Sequence, residues 1–153
     1  TRRLAEHFNK NKDFYNQVEY DRAIIESLRS KPVLTTRDHS AITVFPGRDI
    51  NSFSTYEEAY HQLILDIINR QIHSTSLILK DTITKRIFVD GGFSKNSIFM
   101  RLLAEAFPEV EVYAASVAQA TAIGAALAIH GHWNNKPAPK DIIKLKYYDI
   151  SSA

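Results

Sequence analysis

Ile87-Phe88-Val89-Asp90-Gly91-Gly92-Phe93-Ser94-Lys95-Asn96 is the stretch that decides how this chain folds. A short β-branched and aromatic run ends at Asp90, two glycines follow, and Ser94 opens what the pattern predicts as a helix. Paired glycines at a strand-to-helix junction let the backbone come within contact distance of a flat or anionic ligand, where any Cβ would intrude. Taken alone, the same residues also read as a tight turn with Ser94 as helix N-cap.

Downstream, a helix is predicted over 95–107, with Phe99, Leu102, Leu103 and Ala106 on one side and Pro108 beyond its end. Glu109-Val110-Glu111-Val112-Tyr113 alternates at period two, as a half-exposed strand should. A further helix over 117–130 has an almost wholly small middle, Ala-Thr-Ala-Ile-Gly-Ala-Ala-Leu-Ala at 120–128, so Gly124 is expected to serve close backbone packing. From Trp133 on, Pro137, Pro139 and a Lys-rich end predict a tail over 134–153 that is partly disordered.

Upstream, the strongest helix is predicted over 55–79. Ser54 with Glu57 reads as its capping box, and Tyr56, Ala59, Leu63, Ile67 and Ile68 share one face. A helix over 14–28 is closed by Pro32, and Ile42, Val44 and Phe45 form a candidate short strand before the Pro46-Gly47 turn. Residues 1–13 read as polar, with a turn signal at 9–12. The order helix, strand, turn, helix, strand, helix predicts an α/β fold. Two or three strands are too few for three long helices, so part of the sheet is expected to be missing.

At 153 residues the chain is one domain by size, able to bury roughly 70% of its unfolded surface. A net charge of +2 gives no basis for a nucleic-acid partner, and the basic N-terminus is broken by acids and aromatics. The absence of cysteine excludes a disulfide framework and thiol catalysis and suits the cytoplasm. No apolar run approaches a bilayer span and no signal-peptide pattern is present, so no membrane partner is expected. The chain begins at Thr1 rather than Met, which suggests a piece of something longer.

Several site types are excluded. No glycine precedes a lysine in the Gly-x4-Gly-Lys frame, and no Gly-x-Gly-x-x-Gly occurs. No serine sits in a Gly-x-Ser-x-Gly elbow, and Asp66, Asp81 and Asp90 show no paired-carboxylate spacing. His130 and His132 lack a third nearby metal ligand, and His61 and His73 read as solvated or partly packed. One combination survives: Asp90, Gly91-Gly92 and Asn96, followed about thirty residues on by the small-residue helix. Gly91 and Gly92 can lie flat against an adenine or ribose, and Asn96 can offer its amide to a ring nitrogen or hydroxyl.

Val-Asp-Gly-Gly-Phe-Ser-Lys-Asn-Ser at 89–97, together with 120–128, resembles the carboxy-terminal domain of the FGGY family of carbohydrate kinases. That family includes glycerol, xylulose, rhamnulose, fuculose and gluconate kinases. The resemblance is close over residues 54–133 and compatible in layout over 1–53. It implies an incomplete ribonuclease H-like (actin-like ATPase) domain, a short sheet flanked by long helices. The whole of 1–153 would then be the truncated, adenosine-side domain of a cytoplasmic sugar kinase.

By position, the resemblance implies a nucleotide-binding role for Gly91, Gly92 and Asn96 and no catalytic or metal-binding residue in this chain. Where the family often carries Glu before the small-residue helix, this chain has Gln119, a neutral amide that speaks against a charge-based role there and still allows a capping or packing one. ATP and Mg²⁺ are the implied cofactors. A sugar or polyol substrate would be held by a missing amino-terminal domain with an Asp-x-Gly-Thr phosphate loop; no Asp here is followed by x-Gly-Thr or x-Gly-Ser. Phosphoryl transfer requires donor, metal and acceptor to be aligned, so the piece alone is expected to be inactive. The competing expectation is a non-catalytic interaction or assembly module that keeps the fold. Oligomeric state stays open, a homodimer included, because a domain cut from its partner bares apolar surface.

Overall fold

A computed structural model describes residues 1–31, 44–115, 120–137 and 144–149. Its centre is a βαβ unit. Strand β1 (Arg86–Val89) leads through helix α4 (Ser97–Ala106) into β2 (Glu111–Ala115), which pairs with β1 in parallel, Phe88 opposite Tyr113. A third strand, β3 (Leu145–Tyr148), pairs antiparallel with the other edge of β2, Val112 opposite Tyr148. The order β1-β2-β3 makes a short sheet, in keeping with an incomplete α/β domain.

Helix α3 (Tyr56–Leu79) is the longest element at 24 residues, about 36 Å. Its cap stands one residue later than the sequence predicts. Thr55 Oγ1 accepts from the Glu58 N–H at 3.1 Å, and the Glu58 carboxylate accepts from the Ser54 N–H at 2.8 Å. Either serine or threonine can cap; here Thr55 caps, and the Glu58 carboxylate three residues on reaches back past it to the Ser54 N–H. The N-terminal half of α3 buries Tyr56, Ala59, Tyr60, Ile64, Leu65 and Ile68 against Ile98, Phe99, Met100, Leu102 and Leu103 of α4. Val112, Ala114 and Tyr148 of the sheet close that core. Leu77 and Ile78 at the far end of α3 are exposed.

The predicted single helix over 14–28 is two elements, a 3₁₀ turn at Phe14–Gln17 and helix α2 (Arg22–Arg29). Asp21 sets the division, because its Oδ1 accepts from the N–H groups of Ala23 and Ile24 and so starts a new helix there. Residues 1–13 contain a helix the sequence pattern did not announce, α1 (Arg2–His7), which buries Leu4 and Ala5. It ends where the turn signal stood, with Asn9 at φ 49°, a conformation asparagine tolerates. Phe45 belongs to a 3₁₀ turn (Phe45–Gly47) rather than a strand, and Ile42 lies outside the described residues.

Past β2, helix α5 (Ala120–Ala128) ends at Ile129 and a short helix α6 (His130–Trp133) follows. Gln119 lies outside the described residues. The predicted close packing at Gly124 is not what the fold shows, since no described atom lies within 4 Å of where a Cβ would stand. The glycine sits on an exposed stretch of α5. No helix among the described residues is long and apolar enough to cross a membrane.

Candidate functional site

Side chains on either side of the Gly-Gly turn satisfy both backbone polar groups of Gly91. The Gly91 N–H donates to Asp90 Oδ1 at 2.7 Å, and Ser94 Oγ donates back to the Gly91 carbonyl at 2.8 Å. Gly91 has φ 78° and ψ −151°, a region essentially closed to residues with a Cβ. Gly92 starts a 3₁₀ turn, Gly92–Lys95, that carries the chain into α4. The two glycines are therefore unequal: conformation requires the first, and the second has ordinary dihedrals.

Ser94 is not the helix cap. It is buried in the turn, and α4 begins two residues later with Asn96 as N-cap, Oδ1 accepting from the Phe99 N–H at 2.9 Å. The other end of the same amide donates from Nδ2 to Tyr60 Oη at 2.8 Å. Asn96 thus ties the start of α4 to the buried face of α3. Burial pushes the Tyr60 phenol up to about 12, which keeps it neutral and available as an acceptor. One N–H of the Asn96 amide remains to offer a ligand.

Gly92 and Asn96 border the same cavity, of about 180 Å³, which also touches Tyr15, Tyr60, Lys95 and Tyr148. Gly91, also expected at the site, is not among the residues that line it. No described atom lies within 4 Å of a Cβ built on either glycine, so the turn presents bare main chain to open space. A second cavity of about 240 Å³, reaching Arg101 and Asp149, shares Glu19, Ser97, Lys146 and Tyr148 with the first. The two form one groove over the start of α4. Glu19 is held at its margin by a bond from Ser97 Oγ at 3.1 Å.

Of the residues predicted from sequence, Gly92 and Asn96 share the cavity. Tyr15, Tyr60, Lys146 and Tyr148 were not predicted there, because they arrive from other elements. The tyrosine at 60 has a signal in the period of α3; Lys146 has only the short β-prone run Leu145-Lys146-Tyr147-Tyr148.

Two buried titratable groups, Asp66 and His61, hold elements together. Asp66, buried on α3, takes a two-pronged contact from Arg48, Nε at 2.6 Å and Nη2 at 2.7 Å, and a third bond from Gln62 at 2.9 Å. This cluster borders a cavity of about 390 Å³ on the opposite end of α2 from Asp21. His61 departs from the predicted solvated or partly packed histidine, being only 1% exposed. Its Nε2 accepts from the Asp21 N–H at 3.1 Å while Nδ1 contacts the Glu57 carbonyl at 2.7 Å, so it joins the start of α2 to α3. Among the described residues no three metal-ligating side chains converge, and His130 instead contacts Asn134.

Residues 59–130 match the family model of the FGGY family of carbohydrate kinases, C-terminal domain. The matched span runs from α3 through the Gly-Gly turn, α4 and β2 to the end of α5. No curated protein and no solved structure gives a match.

Proposed function

We propose that this chain, whose residues 59–130 match the C-terminal domain of the FGGY family of carbohydrate kinases, supplies the adenosine-side wall of an ATP-dependent sugar kinase. The observation that carries the proposal is that Gly92 and Asn96 border one cavity with nothing described in front of the glycine. A purine would rest on the main chain at 91–92, with the spare N–H of Asn96 at its edge. The tyrosines at 15, 60 and 148 supply an apolar lining for a flat ring.

In this reading the parent enzyme moves the γ-phosphoryl of ATP onto a hydroxyl of a ketopentose, deoxyhexulose or polyol. A second domain carries the phosphate loop, the base and the sugar contacts. The described residues bring no metal-ligand set together, so no step is assigned to Mg²⁺ on this chain. Its residues bind and orient the base and form one jaw of a cleft that excludes water on closing.

The test is Gly92→Val in the full-length gene product. Because Gly92 has ordinary dihedrals and open space, valine is tolerated by the fold but stands where the base would lie. The KM for ATP should rise about tenfold or more with the KM for the sugar unchanged, a loss of binding rather than of chemistry. An unaltered dependence on ATP would show that the turn is purely architectural.

A further inference from the structure

We infer that Lys146, on the strand after the small-residue helices, is a nucleotide-binding residue that meets the phosphate end of the ligand. The inference rests on the adenosine wall proposed above. Lys146 borders both halves of the groove, the cavity at Gly92 and its neighbour toward Arg101, which puts it beside the space that a nucleotide seated on Gly92 would fill. Pairing with β2 places it: Ala114 stands opposite Lys146, and two residues on, Tyr148 is locked into the core opposite Val112. Side chains two apart share a face of a strand, which directs Lys146 to the α4 side with Tyr148.

The ammonium is also held. Lys146 Nζ sits 4.9 Å from the centroid of the Tyr148 ring, a contact that costs the lysine part of its rotamer freedom before any ligand arrives. Lys95, on the turn itself, adds a second positive charge to the same cavity. The acids facing the groove are Glu19, bonded by Ser97 Oγ, and Asp149. An aromatic-lined groove with lysines at its rim suits a ligand with a flat ring at one end and negative charge at the other.

The experiment uses the full-length gene product and compares ATP, ADP and adenosine, the last as a competitive inhibitor. Lys146→Gln should raise the KM for ATP and weaken ADP about three- to tenfold, as expected for one partly exposed charge contact. It should leave adenosine inhibition unchanged, and the effect on ADP should shrink as salt is raised. Lys146→Arg, which keeps the charge, should hold wild-type ADP affinity; melting temperatures report on folding of each variant. Equal weakening of ADP and adenosine, or no change in either, would overturn the inference. If Gly92→Val raises the KM for ATP and Lys146→Gln does not, only the lysine assignment fails; if neither does, the adenosine wall itself fails.

Discussion

At the scale of single residues, the two glycines of one dipeptide have separate duties. Gly91 sits where an L side chain is strained whatever the space around it, so Gly91→Ala should cost about 1–3 kcal/mol in urea unfolding. An unchanged midpoint would show that the backbone relaxes freely there. His61 gives a second residue-scale prediction. Burial holds its imidazole below the ordinary histidine range, against opposing pulls from the Glu57 carbonyl and from Asp21. The unfolded chain takes up a proton near pH ~6.5 while the folded chain takes it up only at lower pH, so stability falls as pH drops below that value. Melting temperatures measured downward from pH 7.5 should show this slope, and His61→Gln should flatten it. A slope that survives the substitution would place the titration elsewhere.

At the scale of elements, side chains at the junctions decide where each helix begins. Asn96 caps α4 and bonds Tyr60 of α3 with the other end of one amide. Asn96→Ala should therefore cost about 1–2 kcal/mol for the cap, plus a further loss for a phenol buried without its partner. Asn96→Ser, which can cap but cannot reach both, should recover only part. Full recovery by serine would mean that the Tyr60 contact adds nothing. Elements with strong internal periodicity were legible in the sequence: α3, β1 and α4 stand within two residues of their predicted bounds. Elements that depend on a competing cap or a distant neighbour were not. Asp21 splits a region whose apolar spacing favours one helix, and β3 has four residues that become a strand only by pairing with β2. The site divides the same way. Gly92 and Asn96 are local in sequence and were readable there, whereas Tyr15, Tyr60 and Lys146 reach the cavity through packing that no short motif encodes.

At the scale of the whole molecule, the described sheet is open on one face. Phe88, Tyr113 and Tyr147 stand in register across all three strands as a ladder of rings 5.5 and 5.3 Å apart, with Phe88 55% and Tyr147 51% exposed. The core lies on the other face, where α4 and α3 pack. In the proposed reading, a domain built this way would offer a nucleotide one wall. The base would find bare main chain and one amide N–H, with lysines at the rim, while the tight phosphate loop that a kinase cleft needs has no counterpart in these 153 residues. Most of the affinity of a nucleotide site comes from clamping the phosphates and from burial between two surfaces, and binding must first repay the lost freedom of the ligand. This chain by itself should therefore bind ATP with a Kd of about 1 mM or weaker, near −4 kcal/mol, by calorimetry. It should release no ADP in response to any sugar. Micromolar affinity, or sugar-dependent ADP release from these residues alone, would mean that the chain holds both sides of the nucleotide and that the role proposed for it, one half of a cleft, is wrong.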